Sequence, residues 1–167
     1  MLALKITDLK DFTRKLLTGD TFDAFCMVES DVTTFSSFSI DGKLHREFFD
    51  TDDCTILDEN MLSYSLWKEI RPFFYSIIRG KRVPLSFKIV FCLPPKQVQD
   101  LVRGLHTDFS GDMISGLYLN IQFKNHILLC TSGLSLKTFS MDRSLEHSWD
   151  TFVLDFFRAN NILYVKL

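Results

Sequence analysis

The chain has 167 residues, 46% of them apolar, with 17 Phe against 7 Gly and 4 Pro. That content fills the core of one globular domain and excludes a disordered chain. Net charge is only −2, but residues 20–60 hold Lys43 and Arg46 against eleven acids, and residues 61–105 hold eight basic residues against Glu69 and Asp100. Such asymmetry marks either a partner-facing surface or two blocks that face solvent and each other. No apolar run approaches the roughly 18 residues of a membrane span, and Asp8 and Asp11 interrupt the opening where a signal peptide would be apolar. The expected setting is soluble and cytoplasmic, with no membrane partner.

In chain order, Leu2, Leu4 and Ile6 alternate as a first strand. Asp8 offers an N-cap to a helix carrying Leu9, Phe12 and Leu16, and Gly19 is placed to stop it in the left-handed conformation. Residues 22–49 turn to strands: DVTTFSSFSI suits a sheet surface, and Asp41-Gly42 supplies a hairpin turn. The acidic DTDDCTILDEN reads as an exposed loop. A helix follows in SYSLWKEIRPFFYSIIRGKR, with Leu66, Ile70, Phe73, Phe74 and Ile77 as one stripe. Pro72 predicts a kink or two helical pieces, and Gly80 and Pro84 end the segment.

SFKIVFCLPPKQVQDLVRG then repeats the opening pattern. Without a gap, 85 residues apart, Leu2 meets Phe87, Leu4 meets Ile89, Ile6 meets Phe91, Leu16 and Leu17 meet Leu101 and Val102, and Gly19 meets Gly104. Its helix face is Val98, Leu101, Val102 and Leu105. Next, GLYLNIQF alternates Leu117, Leu119, Ile121 and Phe123 inward with Tyr118, Asn120 and Gln122 outward. Turns at Lys124–His126 and at Ser132-Gly133 predict three consecutive antiparallel strands. A closing helix carries Leu145, Trp149, Phe152, Val153 and Phe156, with Ser144 and His147 at N-cap and N3 spacing, and ILYVKL is a last strand.

The expected architecture is α+β: one domain over 1–167, with duplicated β-α-β-β-β units at about 2–49 and 86–142. A helical connector covers about 61–79 and a C-terminal helix about 144–159. The clean alternation predicts a largely antiparallel sheet with helices on one face.

No phosphate loop, nucleophile elbow or zinc-protease motif is present. The four His, at 45, 106, 126 and 147, are scattered; His147 stands i, i+3 from Asp150, the spacing of a surface hydrogen bond. Asp50, Asp52 and Asp53 are close together, but counted from Asp50 the EF-hand positions 6 and 12 are Thr55 and Met61, so the motif fails. No metal or cofactor site is read. The single cysteines Cys26, Cys54, Cys92 and Cys130 read as free thiols, mostly buried. Two sets of residues stand out. Lys10, Arg14 and Lys15, Lys96 and Arg103, and Arg79, Lys81 and Arg82 would meet phosphates if the two repeat helices lay side by side. Asp11, Asp100 and the acidic block oppose a broad nucleic-acid surface. Trp67 and Arg71, four apart, are placed to stack or pair beside a ligand pocket, although a Trp in a helix stripe is more often core.

The segments YSLWKEIRPFFYSIIRGKRVPLSFKIVF and LNIQFKNHILLCTSGLSLKTFSMDRSLEHSWD, with the ALKITDLKDF opening, resemble a family of small uncharacterised proteins from anaerobic gut Clostridia. The resemblance runs nearly end to end; it implies a bacterial cytoplasmic setting and assigns no catalytic residue. By element order alone, the duplicated unit resembles one domain of a DNA sliding clamp, in which paired helices line the DNA side. The leading expectation is a non-catalytic interaction module for protein, a second copy or nucleic acid. The alternative is a small-molecule-binding protein or an unrecognised enzyme, with its pocket near Trp67, Arg71 or His147.

Overall fold

The computed structural model describes residues 1–105 and 109–167. Its elements are β1 (Ala3–Ile6), α1 (Leu9–Leu17), β2 (Cys26–Thr33), β3 (Ser37–Asp41), α2 (Thr51–Glu59), α3 (Trp67–Ile78), β4 (Ser86–Cys92), α4 (Pro95–Arg103), β5 (Ile114–Lys124), β6 (Ile127–Leu136), α5 (Ser144–Ala159) and β7 (Tyr164–Lys166), with 3₁₀ turns at Arg46–Phe48 and Gly111–Met113. The strands form a seven-stranded sheet, β3-β2-β4-β5-β6-β1-β7, in which every neighbouring pair is antiparallel. The class is therefore α+β.

Strand alternation builds one apolar face. The register sets Ile89 beside Ile121, Ile121 beside Cys130 and Leu4 beside Cys130, all buried. Side chains from α1, α3, α4 and α5 join that face in a single core, including Phe12, Leu16, Trp67, Phe74, Trp149 and Phe157. The other face is mostly half-buried or open, except that Cys26, Val90 and Cys92 are buried there, with Tyr64 and Tyr118 around the two thiols.

Several local expectations give way to longer-range contacts. The β2–β3 hairpin turns at residues 34–36, inside DVTTFSSFSI, where the Thr34 N–H donates to the Ser36 carbonyl over 2.9 Å. Asp41-Gly42 is not its turn; Gly42 instead lies against β2, donating its N–H to the Val28 carbonyl over 2.9 Å. The break expected at Ser132-Gly133 does not occur, and β6 runs on to Leu136. Ser132 is spoken for there: its hydroxyl accepts the Leu2 N–H at 2.8 Å and bonds the Asp150 carboxylate. Each half is thus strand, helix and two strands, followed by helix, rather than strand, helix and three strands.

DTDDCTILDEN is helical, not a loop, from Thr51 to Glu59. The Asp50 side chain accepts the Asp53 N–H over 2.8 Å as an N-cap, and Asp52 and Asp53 in the first turn complement the helix dipole. α3 runs unbroken through Pro72, and Lys68 and Pro72, whose hydrogen bond the proline ring removes, are both exposed. Its buried stripe is Trp67, Phe74 and Ile78, while Phe73 is 67% exposed. α5 is capped one residue earlier than expected: Arg143 is the N-cap and Ser144 begins the helix. Gly19 is not left-handed; α1 caps at Thr18, and a Cβ on Gly19 would sit 3.2 Å from the Lys15 backbone.

The 85-residue offset pairs inward strand positions, whereas the buried helix positions stand 86 apart. Leu4 and Ile89, and Ile6 and Phe91, are all buried and stand 85 residues apart. The buried helix pairs are Phe12 with Val98 and Leu16 with Val102, 86 apart, and the C-caps are Thr18 and Gly104. The extra residue lies at Leu93-Pro94, ahead of α4. Sheet neighbours also differ between halves, since β4 lies beside β5 whereas β1 lies beside β6 and β7.

Candidate binding cleft

α3 ends at Ile78 because Gly80 takes a φ of +150° and Pro84 follows. The loop after it is returned to the sheet by the Leu85 N–H, which donates to the Thr33 carbonyl over 2.9 Å. Between this loop, α1 and the Phe87 end of β4 lies a cleft of about 510 Å³. Its floor is apolar, formed by Leu9, Leu17, Ile78, Val83, Phe87 and Phe123. Its rim carries Lys10, Arg79, Lys81, Arg82 and His126, with Tyr75 between, and among the described residues no acid lines it.

Among the described residues, none of Lys10, Arg79, Lys81 and Arg82 is in an ion pair. The far side of the same loop borders a second cleft of about 550 Å³. There Phe35, Val83 and Leu85 are 93%, 64% and 69% exposed. The loop is a strip of cations between two apolar surfaces.

The eight basic candidates therefore separate. Lys10 and the three loop cations converge on the cleft. Arg14 and Lys15 share the Asp11 carboxylate, Arg14 at 2.8 Å, and Lys15 also donates to the Asn161 carbonyl at 3.0 Å. Hydrogen bonds from Lys15 and then Arg14 hold the Asp11 carboxyl below its ordinary value. Lys96 and Arg103 lie on α4, which packs on α5 and the Gly111–Met113 turn beyond the Cys92 end of β4. Arg103 pairs with Asp100 at 3.3 Å. α1 packs on α3, and α4 packs on α5.

Trp67 and Arg71 do not pair with each other. Trp67 is fully buried, its indole N–H donates to the Leu16 carbonyl over 2.9 Å, and its ring contacts Phe74 and Phe91. Arg71 grips Asp23 with two hydrogen bonds of 2.9 Å. Asp150 accepts the Ser132 hydroxyl and lies 3.5 Å from the N-terminal amine, while His147 is exposed. His106 lies outside the described residues. No three His, Cys, Asp or Glu among the described residues are arranged to hold a metal ion. All four cysteines are free. Cys26 faces Cys92 across β2 and β4; their hydrogen bond, together with burial, raises the Cys92 thiol, and burial alone raises Cys130.

Sequence reasoning overlooked Tyr75 and His126, and also Phe35, Val83 and Leu85. The last two left a signal, because apolar residues flanking Pro84 in a predicted loop lack a core to enter.

The fold and cleft define an α+β protein with a cation-rimmed, apolar-floored groove. Residues 15–165 match DUF5721, a family of unknown function, and the chain belongs to that family. No curated protein and no solved structure matches it. Among the described residues no helix is long and apolar enough to cross a membrane.

Proposed function

We propose that the protein is a non-catalytic interaction module whose cleft beside the 79–85 loop takes an acidic protein segment bearing apolar side chains. One observation carries this reading: among the described residues, Lys10, Arg79, Lys81 and Arg82 are in no ion pair around an apolar floor that no acid lines. Cations without partners favour a carboxylate-bearing ligand, and the floor gains from burying aliphatic or aromatic groups. Nucleic acid fits less well, because a phosphate track needs cations extended along the surface. Here Asp11 engages both Arg14 and Lys15 and offsets half of their charge, and α4 faces elsewhere. The small-molecule alternative loses its anchors when Trp67 is enclosed and Arg71 is held by Asp23. Four free thiols suit the cytoplasm of a bacterium.

The test is fluorescence anisotropy with a labelled amphipathic Glu/Leu peptide, a Lys/Leu control, and duplex and single-stranded DNA at low salt. The acidic peptide is expected to bind, and Arg79→Glu with Arg82→Glu to weaken it at least about tenfold, or about 1.4 kcal/mol. DNA binding that is lost on Arg14→Glu and Arg103→Glu, with no peptide binding, would establish the nucleic-acid reading instead.

A further inference from the structure

We propose that the segment filling the cleft is α2 of a second copy of this chain, exchanged reciprocally in a two-fold dimer. This rests on the reading of the cleft as a site for acidic segments. Three observations on α2 lead to it. First, α2 has nine residues and buries none of them. An isolated helix of that length is unstable in water, and most helical stability in proteins comes from burying a face. Among the described residues, its capping and polar contacts are local: the Asp50 cap, the Arg46–Asp58 pair at 2.6 Å, the Cys54 thiol to the Arg46 carbonyl and the Leu62 N–H to the Leu57 carbonyl. Apolar surface is left to be covered, with Ile56 55% exposed and Phe48, just ahead of the helix, 86% exposed.

Second, the charge blocks of the chain are only partly spent internally. Arg71–Asp23 and Lys88–Glu29 join the basic block to the acidic one. Among the described residues, Asp52, Asp53 and Glu59 on α2 and Arg79, Lys81 and Arg82 at the cleft are in no ion pair, and each set is a group of like charges close together in the chain. Third, the apolar partners match as well. Ile56 and Phe48 accompany the acids, and exposed Val83 with the apolar floor of Leu9, Leu17 and Phe87 accompanies the cations. Each copy carries both halves of the contact, so reciprocal docking closes as an isologous dimer, whereas one-way docking would propagate.

Sedimentation of the wild-type chain tests this. The expected species is a dimer of twice the 19.4 kDa chain mass. It should dissociate as salt rises from about 50 mM to about 500 mM, because the contact is ionic and exposed. Two reversal variants, Asp52→Lys/Glu59→Lys and Arg79→Glu/Arg82→Glu, should each weaken self-association by about 100-fold, as like charges meet. Mixing the two should restore a heterodimer, since each basic α2 then meets an acidic cleft and each acidic α2 a basic one. All four positions are exposed, and far-UV circular dichroism of each variant checks that it is folded. A monomeric wild type, or a dimer indifferent to both variants, overturns the proposal. Acidic-peptide anisotropy on the same samples separates the two readings: a monomer that binds the peptide refutes the second copy alone, and one that binds nothing refutes the cleft as well.

Discussion

Trp67 is enclosed by α1, α3 and β4, and its indole N–H has one acceptor, the Leu16 carbonyl 51 positions away. Trp67→Phe removes the donor from a buried carbonyl and leaves a void where the larger ring stood. The expected loss is about 2–4 kcal/mol in urea denaturation, and a loss below about 1 kcal/mol would show that the hydrogen bond carries no weight. The thiols differ in the same physical way. Burial raises Cys130 above its ordinary 9.0, and the thiolate is the reactive species. An aromatic disulfide reagent should therefore consume half-buried Cys54 first and reach Cys130 only on unfolding. The sign of the stability effect follows. The Cys130 contribution is full below pH 9.0 and is lost as pH rises toward the folded value, because the unfolded chain gives up that proton first. Early labelling of Cys130 in the native protein would contradict this.

Among the elements, β3 depends on Gly42 for a reason outside turn chemistry. A Cβ on Gly42 would fall 1.7 Å from the Met27 carbonyl oxygen, so the backbone approach tolerates no side chain. Gly42→Ala should cost about 1–3 kcal/mol or more by forcing β2 and the 42–43 segment apart, read as a lowered urea midpoint; a neutral result would mean that the segment shifts freely. Local signals made some elements readable in advance. The β5 alternation and the Asp8 cap depend on neighbours a few residues away, and both were legible. The rotation of α3 was not, because Trp67 answers to Leu16, and neither was the length of β6, because Ser132 answers to Leu2 and Asp150. The cleft was legible as residue types but not as a place. Lys10 and the 79–82 loop line one cleft because α1 packs on α3, from whose end the loop runs.

The whole molecule is tied together by strand order. β4 pairs with β2 from the first half and β5 from the second, and β1 crosses to lie beside β6, so neither half closes a core without the other. The open edges are short: β3 has five residues ending in Asp41 and β7 has three ending in Lys166, both poor templates for further pairing. Trp67 and Trp149 are fully buried at separate places in one core: Trp67 bonds the end of α1, and Trp149 donates to the Tyr118 carbonyl on β5 over 3.0 Å. A shared core predicts a single cooperative transition despite the internal repetition of elements. Two variants, Trp67→Phe and Trp149→Phe, each leave one reporter. In each, urea unfolding followed by Trp fluorescence and by far-UV circular dichroism should superimpose, even though the midpoints of the two variants differ. If the halves melted separately, each tryptophan would report its own surroundings while dichroism averaged both, and the curves would part within a single variant. Coincidence in both variants requires that β2, β4, β5 and β6 be lost together, as the interleaved strand order demands.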